Sequence, residues 1–426
     1  MIRYILPIAL TCVLASSHLY AAAKDYAWLR NIASHPNISV AKGVIQTQQW
    51  RIKEMQAERG FDIDVSTTGD VPIVSDLQDD FTRASDNDPY LDIVVSGSYI
   101  LYDFEQAQQK INAEKSSYEV RKLEYLTAIE EELHRLLGLV TDNQKVLEQL
   151  AALKMAQPQL LKIQQQLETR YEAGLGTLTE VRQIHVQLLD LHSQITLLEN
   201  RLQSLQLTAE EQYELSSEEL VVIWHDIKHV LTVHRDLDYG GRSAQLSELK
   251  IQSLMHHQAS VRAEAMPVLQ GELNATLYDV TRSFDNYQLS GQLRLKIPVF
   301  DSGYRDARIG SLQHAMTTEL DMKRQLQRQK QFQLNEIARQ DADLRARLSI
   351  IEDKLNNQVL QLNALQQALG KTGNDINGVG NYMNQIATSR TELAGLKADA
   401  NLNALQKLLV TEQLLASLDI ELTDLL

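Results

Sequence analysis

The residues with the most chemical promise are histidines. His225 and His229 stand four apart, a spacing that sets two imidazoles on one helix face, where their neutral nitrogens could hold a metal ion. No third ligand completes the pair at a recognised spacing, so both read as solvated helix residues. His256 and His257 are adjacent and point to different faces of a helix, which argues against a joint site. Gly370-Lys371-Thr372 has the ending of a phosphate-binding loop, but Leu365 stands where the first glycine is required and no strand precedes it. The carboxylates are interleaved with Lys and Arg, as on a solvated helix. With no nucleophile, base and orienting group at a recognisable spacing, the chain reads as a non-enzyme that needs no cofactor and no metal.

Stepping outwards from these residues, the composition describes their scaffold. Only 7 prolines and 18 glycines punctuate 426 residues, which favours long helices over compact domains. A net charge of −15 argues against nucleic acid as a partner. Arg3, the apolar run from Tyr4 to Ala15 and the small residues Ala21, Ala22 and Ala23 predict a secretory signal peptide over 1–23. Cys12, the only cysteine, lies inside that run, and Leu10 and Thr11 precede it where a lipoprotein would have small residues. The exported part therefore has no disulfide, and its stability must come from packing. No later stretch is apolar for as many as about 18 residues, so membrane insertion would have to use strands.

The chain repeats itself at an offset of about 200 residues. Ile100-Leu101-Tyr102-Asp103 and Pro298-Val299-Phe300-Asp301 each lead into a long helical pattern, with Tyr102-Asp103 matching Phe300-Asp301. Upstream, Ala57-Glu58-Arg59-Gly60 before Phe61 resembles Glu264-Ala265-Met266-Pro267 before Val268. Each half reads helix, strand, loop, strand, long helix, turn, long helix. The expected division is a first repeat over 24–207, a connector over 208–244 and a second repeat over 245–426.

Helical stripes run through Leu178, Val181, Ile184, Leu188, Leu191, Ile195, Leu198, Leu202 and Leu205, and through Leu344, Leu348, Ile351, Leu355, Val359 and Leu362. The pattern from Glu105 to Leu167 would span about 90 Å at 1.5 Å per residue, with Pro158 as a kink point. Strands alternate instead. Leu289, Gly291, Leu293, Leu295, Ile297 and Val299 oppose Ser290, Gln292, Arg294, Lys296 and Pro298, and Leu269 to Tyr278 alternates likewise. Phe61, Ile63 and Val65 start a third strand, and Ile93 to Leu101 forms a fourth.

Four amphipathic strands cannot close a barrel, and open edges in lipid would leave backbone groups unpaired. The expected fold is mainly α with a small membrane β part. Long helical hairpins form a tunnel, and three chains with four strands each close a 12-stranded barrel. Gln292, Arg294 and Lys296 would face its lumen. Asp70, Asp76, Asp79, Asp80, Asp86 and Asp88 lie between two strands and predict an external acidic loop.

Together these features resemble the TolC-like outer-membrane efflux proteins over nearly the whole exported chain. The carrying segments are Arg170-Tyr171-Glu172-Ala173-Gly174-Leu175-Gly176-Thr177-Leu178-Thr179-Glu180-Val181 and Ile297-Pro298-Val299-Phe300-Asp301-Ser302-Gly303. The resemblance implies a homotrimer in the outer membrane of a Gram-negative bacterium, with a large periplasmic part. It would be the exit duct of a tripartite efflux or type I secretion machine, docked on a periplasmic adaptor and an inner-membrane transporter. It also implies a periplasmic entrance formed by Tyr171, Gly174 and Glu180 in the first half. In the second half Tyr382 and Glu392 take the matching places, with Arg390 as a counter-charge, although Gln385 replaces the expected glycine. The rival reading is a periplasmic coiled-coil adaptor or structural protein, which would not need paired amphipathic strands.

Overall fold

The computed structural model describes residues 28–70, 90–232, 241–278, 280, 286–372, 376–418 and 420. The expected signal peptide and the acidic segment beyond Asp70 lie outside these residues, as does the side chain of His229. The described elements run α1 (Leu29–Ser34), α2 (Pro36–Ala57), β1 (Asp62–Asp70), β2 (Tyr90–Tyr102), α3 (Gln106–Glu172), α4 (Leu178–Tyr213), α5 (Ser217–Thr232) and α6 (Arg242–Ala263). They continue with β3 (Val268–Leu277), β4 (Tyr287–Lys296), α7 (Tyr304–Thr372), α8 (Ile376–Val410) and α9 (Leu414–Ser417). The order of helix, two strands and a long helical pair thus occurs twice. The expected boundaries at 207 and 245 fall inside α4 and α6, because the packing that sustains each helix continues past them. Among the described residues, no helix is long and apolar enough to cross a membrane.

The two halves share backbone details that their residue types hide. After β2, Phe104 and Glu105 adopt φ of 50° and 64°, and after β4, Ser302 and Gly303 adopt 55° and 81°. Three of these four residues carry a Cβ, which disfavours the left-handed region. An aspartate precedes each pair and caps the helix beyond: Ala107 N–H donates to Asp103 Oδ2 at 2.9 Å, and Arg305 N–H donates to Asp301 Oδ2 at 3.2 Å. The hairpins also end alike, with Glu214 after α4 at φ 54° and Glu412 after α8 at φ 59°. The pairs 104/302 and 214/412 fix the repeat offset at 198 residues.

The α3 helix, 67 residues long, remains helical across Pro158 and forms the spine, packing on α2, α4, α6 and α8. One apolar core surrounds its middle, where Leu133, Leu136 and Leu137 meet Ile32 and Ile38 from α1 and α2, Leu220 and Ile223 from α5, and Leu414 beside the chain end. A second core runs along the hairpins and joins Leu153, Leu160 and Ile163 of α3 to Ile184, Leu191 and Ile195 of α4 and Val379 of α8. The heptad stripe of α4 from Val181 to Leu205 is the face turned into this core, as periodicity predicts. Charges fasten the first core. Glu130, 2% exposed, takes both guanidinium nitrogens of Arg242 at 2.7 and 3.1 Å and the backbone N–H of Leu415 at 3.4 Å. Two residues on and on another side of α3, Glu132 accepts from Tyr213 Oη at 2.8 Å, Arg135 at 2.7 Å and Asn37 at 3.2 Å.

The strands form one antiparallel sheet in the order β1-β2-β3-β4. Its register pairs Ile63 with Gly97, Gly97 with Leu273, and Leu273 with Gly291. One face therefore carries Ile63, Val65, Val95, Leu273, Leu289 and Leu293, and the other carries Asp62, Asp64, Ser96, Glu272, Gln292 and Arg294. The Phe61 ring reaches over the apolar side of Gly97, where a Cβ would meet its Cζ at 2.6 Å. Only a glycine leaves room for the aromatic ring.

Candidate functional site

Two regions at opposite ends of the long helices carry the residues singled out by sequence. At the sheet end, Gln292, Arg294 and Lys296 are successive polar-face positions of β4, and all three are exposed. Glu272, directly opposite Gln292 in the register, accepts hydrogen bonds from Gln292 Nε2 and from Arg294 Nη2, the latter at 2.9 Å. Sequence reasoning placed the β4 residues but missed Glu272 as their partner. The signal was available, since Glu272 is the one acid on the polar face of β3.

At the other end, α3 turns into α4 through residues 173–177. The C-terminus of α3 closes as a Schellman motif: Leu175 N–H donates to Arg170 O at 2.8 Å and Gly174 N–H donates to Tyr171 O at 3.0 Å. Gly174 sits between them at φ +73°, which only glycine adopts without steric cost. Thr177 then caps α4, accepting from Glu180 N–H at 3.3 Å, while its own N–H and hydroxyl donate to Glu180 Oε2 at 2.8 and 2.9 Å. These donors hold the Glu180 carboxyl below the usual glutamate range, with Arg170 adding a smaller pull in the same direction. The Thr-x-x-Glu spacing of this capping box is legible in the sequence. Tyr171 and Leu175 project from the turn, 45% and 71% exposed.

The second hairpin departs from expectation. Its first helix, α7, ends at Thr372 and its second, α8, begins at Ile376, so Tyr382, Arg390 and Glu392 are interior residues of α8. The two hairpins run side by side, with Asn377 donating to Gln183 at 3.0 Å and Gln187 to Asn381 at 2.6 Å. Both pairs are 194 residues apart, so α4 and α8 are parallel. Further along, Gln149 Nε2 reaches Thr391 O at 3.1 Å and Glu392 pairs with Lys354 of α7 at 3.9 Å. Gln149 lies about 35 Å along α3 from its end at Glu172, at 1.5 Å per residue. Glu180 and Glu392 therefore do not share one level, and neither Tyr382 nor Arg390 lies at the turn. Matching Tyr171 to Tyr382 by residue type implied an offset larger than the one the backbone shows.

No protein-family model and no curated protein sequence matches the chain. Solved structures do. The outer membrane protein VceC of Vibrio cholerae superimposes with a TM-score of 0.73 at 14% identity, over 90% of this chain and 95% of that one. The Campylobacter jejuni CmeC outer membrane channel gives 0.72 at 8% identity, over 93% and 90%. The open state of the Neisseria gonorrhoeae MtrE outer membrane channel gives 0.67 at 8% identity, over 90% and 88%. The chain thus has the fold of outer-membrane channel protomers, with long helical hairpins and four strands. This is the fold that the resemblance to TolC-like proteins implies.

Proposed function

We propose that this chain is the protomer of an outer-membrane exit duct, which carries small molecules or proteins delivered by an inner-membrane transporter and catalyses no reaction. The observation that carries this reading is the alternation of a mainly polar and a mainly apolar face across a four-stranded sheet, sharpest on β4, set at one end of helices about 100 Å long. Such a sheet suits lipid on one side and water on the other, and three copies supply 12 strands. In this arrangement Gln292, Arg294 and Lys296 line the lumen beside Glu272. Tyr171, Gly174 and Glu180 stand at the periplasmic entrance, where the exposed turn offers a docking point for an adaptor. A freestanding periplasmic coiled-coil protein has no use for such a sheet.

Cell fractionation followed by planar-bilayer recording tests the proposal. The protein should stay with the outer membrane until detergent releases it, run as a trimer by mass and give discrete conductance steps. A soluble periplasmic monomer without conductance would overturn it.

A further inference from the structure

Where the apolar face of the sheet meets the helices, it ends in a cluster of aromatic residues. At the end of β2 the register slips: Ile100 pairs with Gln270 but Tyr102 pairs with Leu269, so one extra residue bulges between them. The bulge turns Tyr102 onto the face shared by Leu269 and Leu295. Leu101 lies on the same side, its Cδ1 3.5 Å from where a Cβ on Gly271 would stand. Tyr102 meets Phe104 edge to face with ring centroids 4.7 Å apart, and Phe61 reaches over Gly97 on that face. Phe61, Leu101, Tyr102 and Phe104 are all exposed.

A cation completes this corner. Arg59, in the turn between α2 and β1, donates through Nη1 to Gln108 Oε1 at 3.0 Å, one helical turn beyond Phe104. Gln108 is itself held, because its Nε2 donates to Asn112 Oδ1 at 3.0 Å. Arg59 is exposed, and among the described residues no carboxylate pairs with it, neither Glu58 beside it nor Glu105 at the start of α3. At the matching corner of the second half, Arg308 is already neutralised by both oxygens of Glu264, at 2.9 and 3.1 Å. We infer that the α2–β1 and β2–α3 turns hold a glycerophospholipid of the periplasmic leaflet. Its phosphodiester sits on Arg59, and its glycerol and upper acyl chains lie against Phe61, Tyr102 and Phe104. The inference rests on the channel reading above and adds a lipid site to it. A phosphodiester carries one negative charge and acceptor oxygens that suit the free N–H groups of a guanidinium. The rim of the apolar band is where hydrocarbon gives way to headgroups, and it favours rings with one apolar and one wet end, as Tyr102 has. A soluble anion would use Arg59 and not the rings, whereas a wholly apolar occupant would leave the guanidinium unmatched.

Native mass spectrometry of the full-length complex, extracted in detergent and mixed with phosphatidylglycerol, tests the site. The native complex should retain phosphatidylglycerol and bind it more tightly than a diacylglycerol with the same acyl chains. Arg59→Gln should weaken its retention about tenfold, the loss expected of one charge-assisted contact. Arg59→Lys should recover most of that loss. Arg328→Gln, which removes an exposed cation about 36 Å along α7 from its start, should change nothing. Tyr102→Ala together with Phe104→Ala should weaken binding of both lipids. Equal binding of the two lipids by the native complex, or native retention of phosphatidylglycerol by Arg59→Gln, would overturn the site and leave the channel standing. Displacement of the lipid by inorganic phosphate would do the same, by showing a site for free anions. Absence of any trimer in the native chain would overturn both readings.

Discussion

Glu272 of β3 and Arg294 of β4 meet at 2.9 Å on the polar face of the sheet, one step diagonal to the directly opposed Glu272 and Gln292. The contact joins β3 and β4 on the face that β4's even-numbered residues share, and the apolar Leu293 and Leu295 point the other way.

Arginine introduced at Leu293 should therefore cost about 2 to 4 kcal/mol if the residue sits near the bilayer midplane. Detergent-resistant trimers should be lost on gels. Arg294→Leu should still assemble and change single-channel conductance. Normal assembly of Leu293→Arg together with failure of Arg294→Leu would show the faces reversed.

The turn at Gly174 is predicted to be locally fragile. Gly174→Ala places a Cβ in the left-handed region at a cost of about 1 to 2 kcal/mol, and Thr177→Ala removes a cap worth about 0.5 to 2 kcal/mol. Hydrogen exchange should quicken in the last turn of α3 and the first of α4. The cores around Leu136 should keep their protection, since neither residue touches them.

Acid should loosen the helical part as its buried histidines take up protons. Burial depresses the pKa of His134, assisted by Arg135, and burial is also the main cause of the depression at His257. With folded values below the ordinary value of about 6.5, the unfolded chain binds more protons as pH falls through that value. The stability these groups contribute is complete above about pH 6.5 and declines below it, towards their folded values. Thermal melts between about pH 7 and pH 5 should show this decline, and His134→Gln with His257→Gln should flatten it. An unchanged slope in the double variant would assign the decline to other groups.

Arg242→Met should be among the most damaging single changes, at about 3 to 5 kcal/mol, because it leaves the Glu130 carboxylate buried without its cation. Replacing both residues by Met should recover most of the loss in denaturant titrations. If the double variant is as unstable as the single, the pair does more than neutralise itself.

Strand faces and helix stripes were readable from sequence because their periods of 2 and 3.6 residues are imposed by burial itself. Leu289 and Leu293 of β4 must share a face whatever their neighbours, and Ile184, Leu191 and Ile195 must share a stripe. The second hairpin turn was not readable. Its position depends on where two helices stop, and no Schellman glycine and capping box like Gly174 and Thr177-x-x-Glu180 marks it at Tyr382. The match of Tyr102-Asp103 to Phe300-Asp301 already carried the repeat offset, but the turns that share it were hidden, because Phe104, Glu105, Glu214 and Glu412 take left-handed backbone angles without the glycines that advertise them. The Glu130–Arg242 pair joins residues 112 positions apart, a separation at which local pattern carries no information.

The length of α3 also makes it a lever arm. A rod of about 100 Å, pivoted near the sheet, swings its far end by about 1.7 Å for each degree of tilt. A partner gripping the loop around Tyr171 and Leu175 would need to turn the hairpin through only a few degrees to shift that loop by the width of a side chain. With the pivot at the hydrogen-bonded sheet, such displacement would be greatest at the tip and least among the strands.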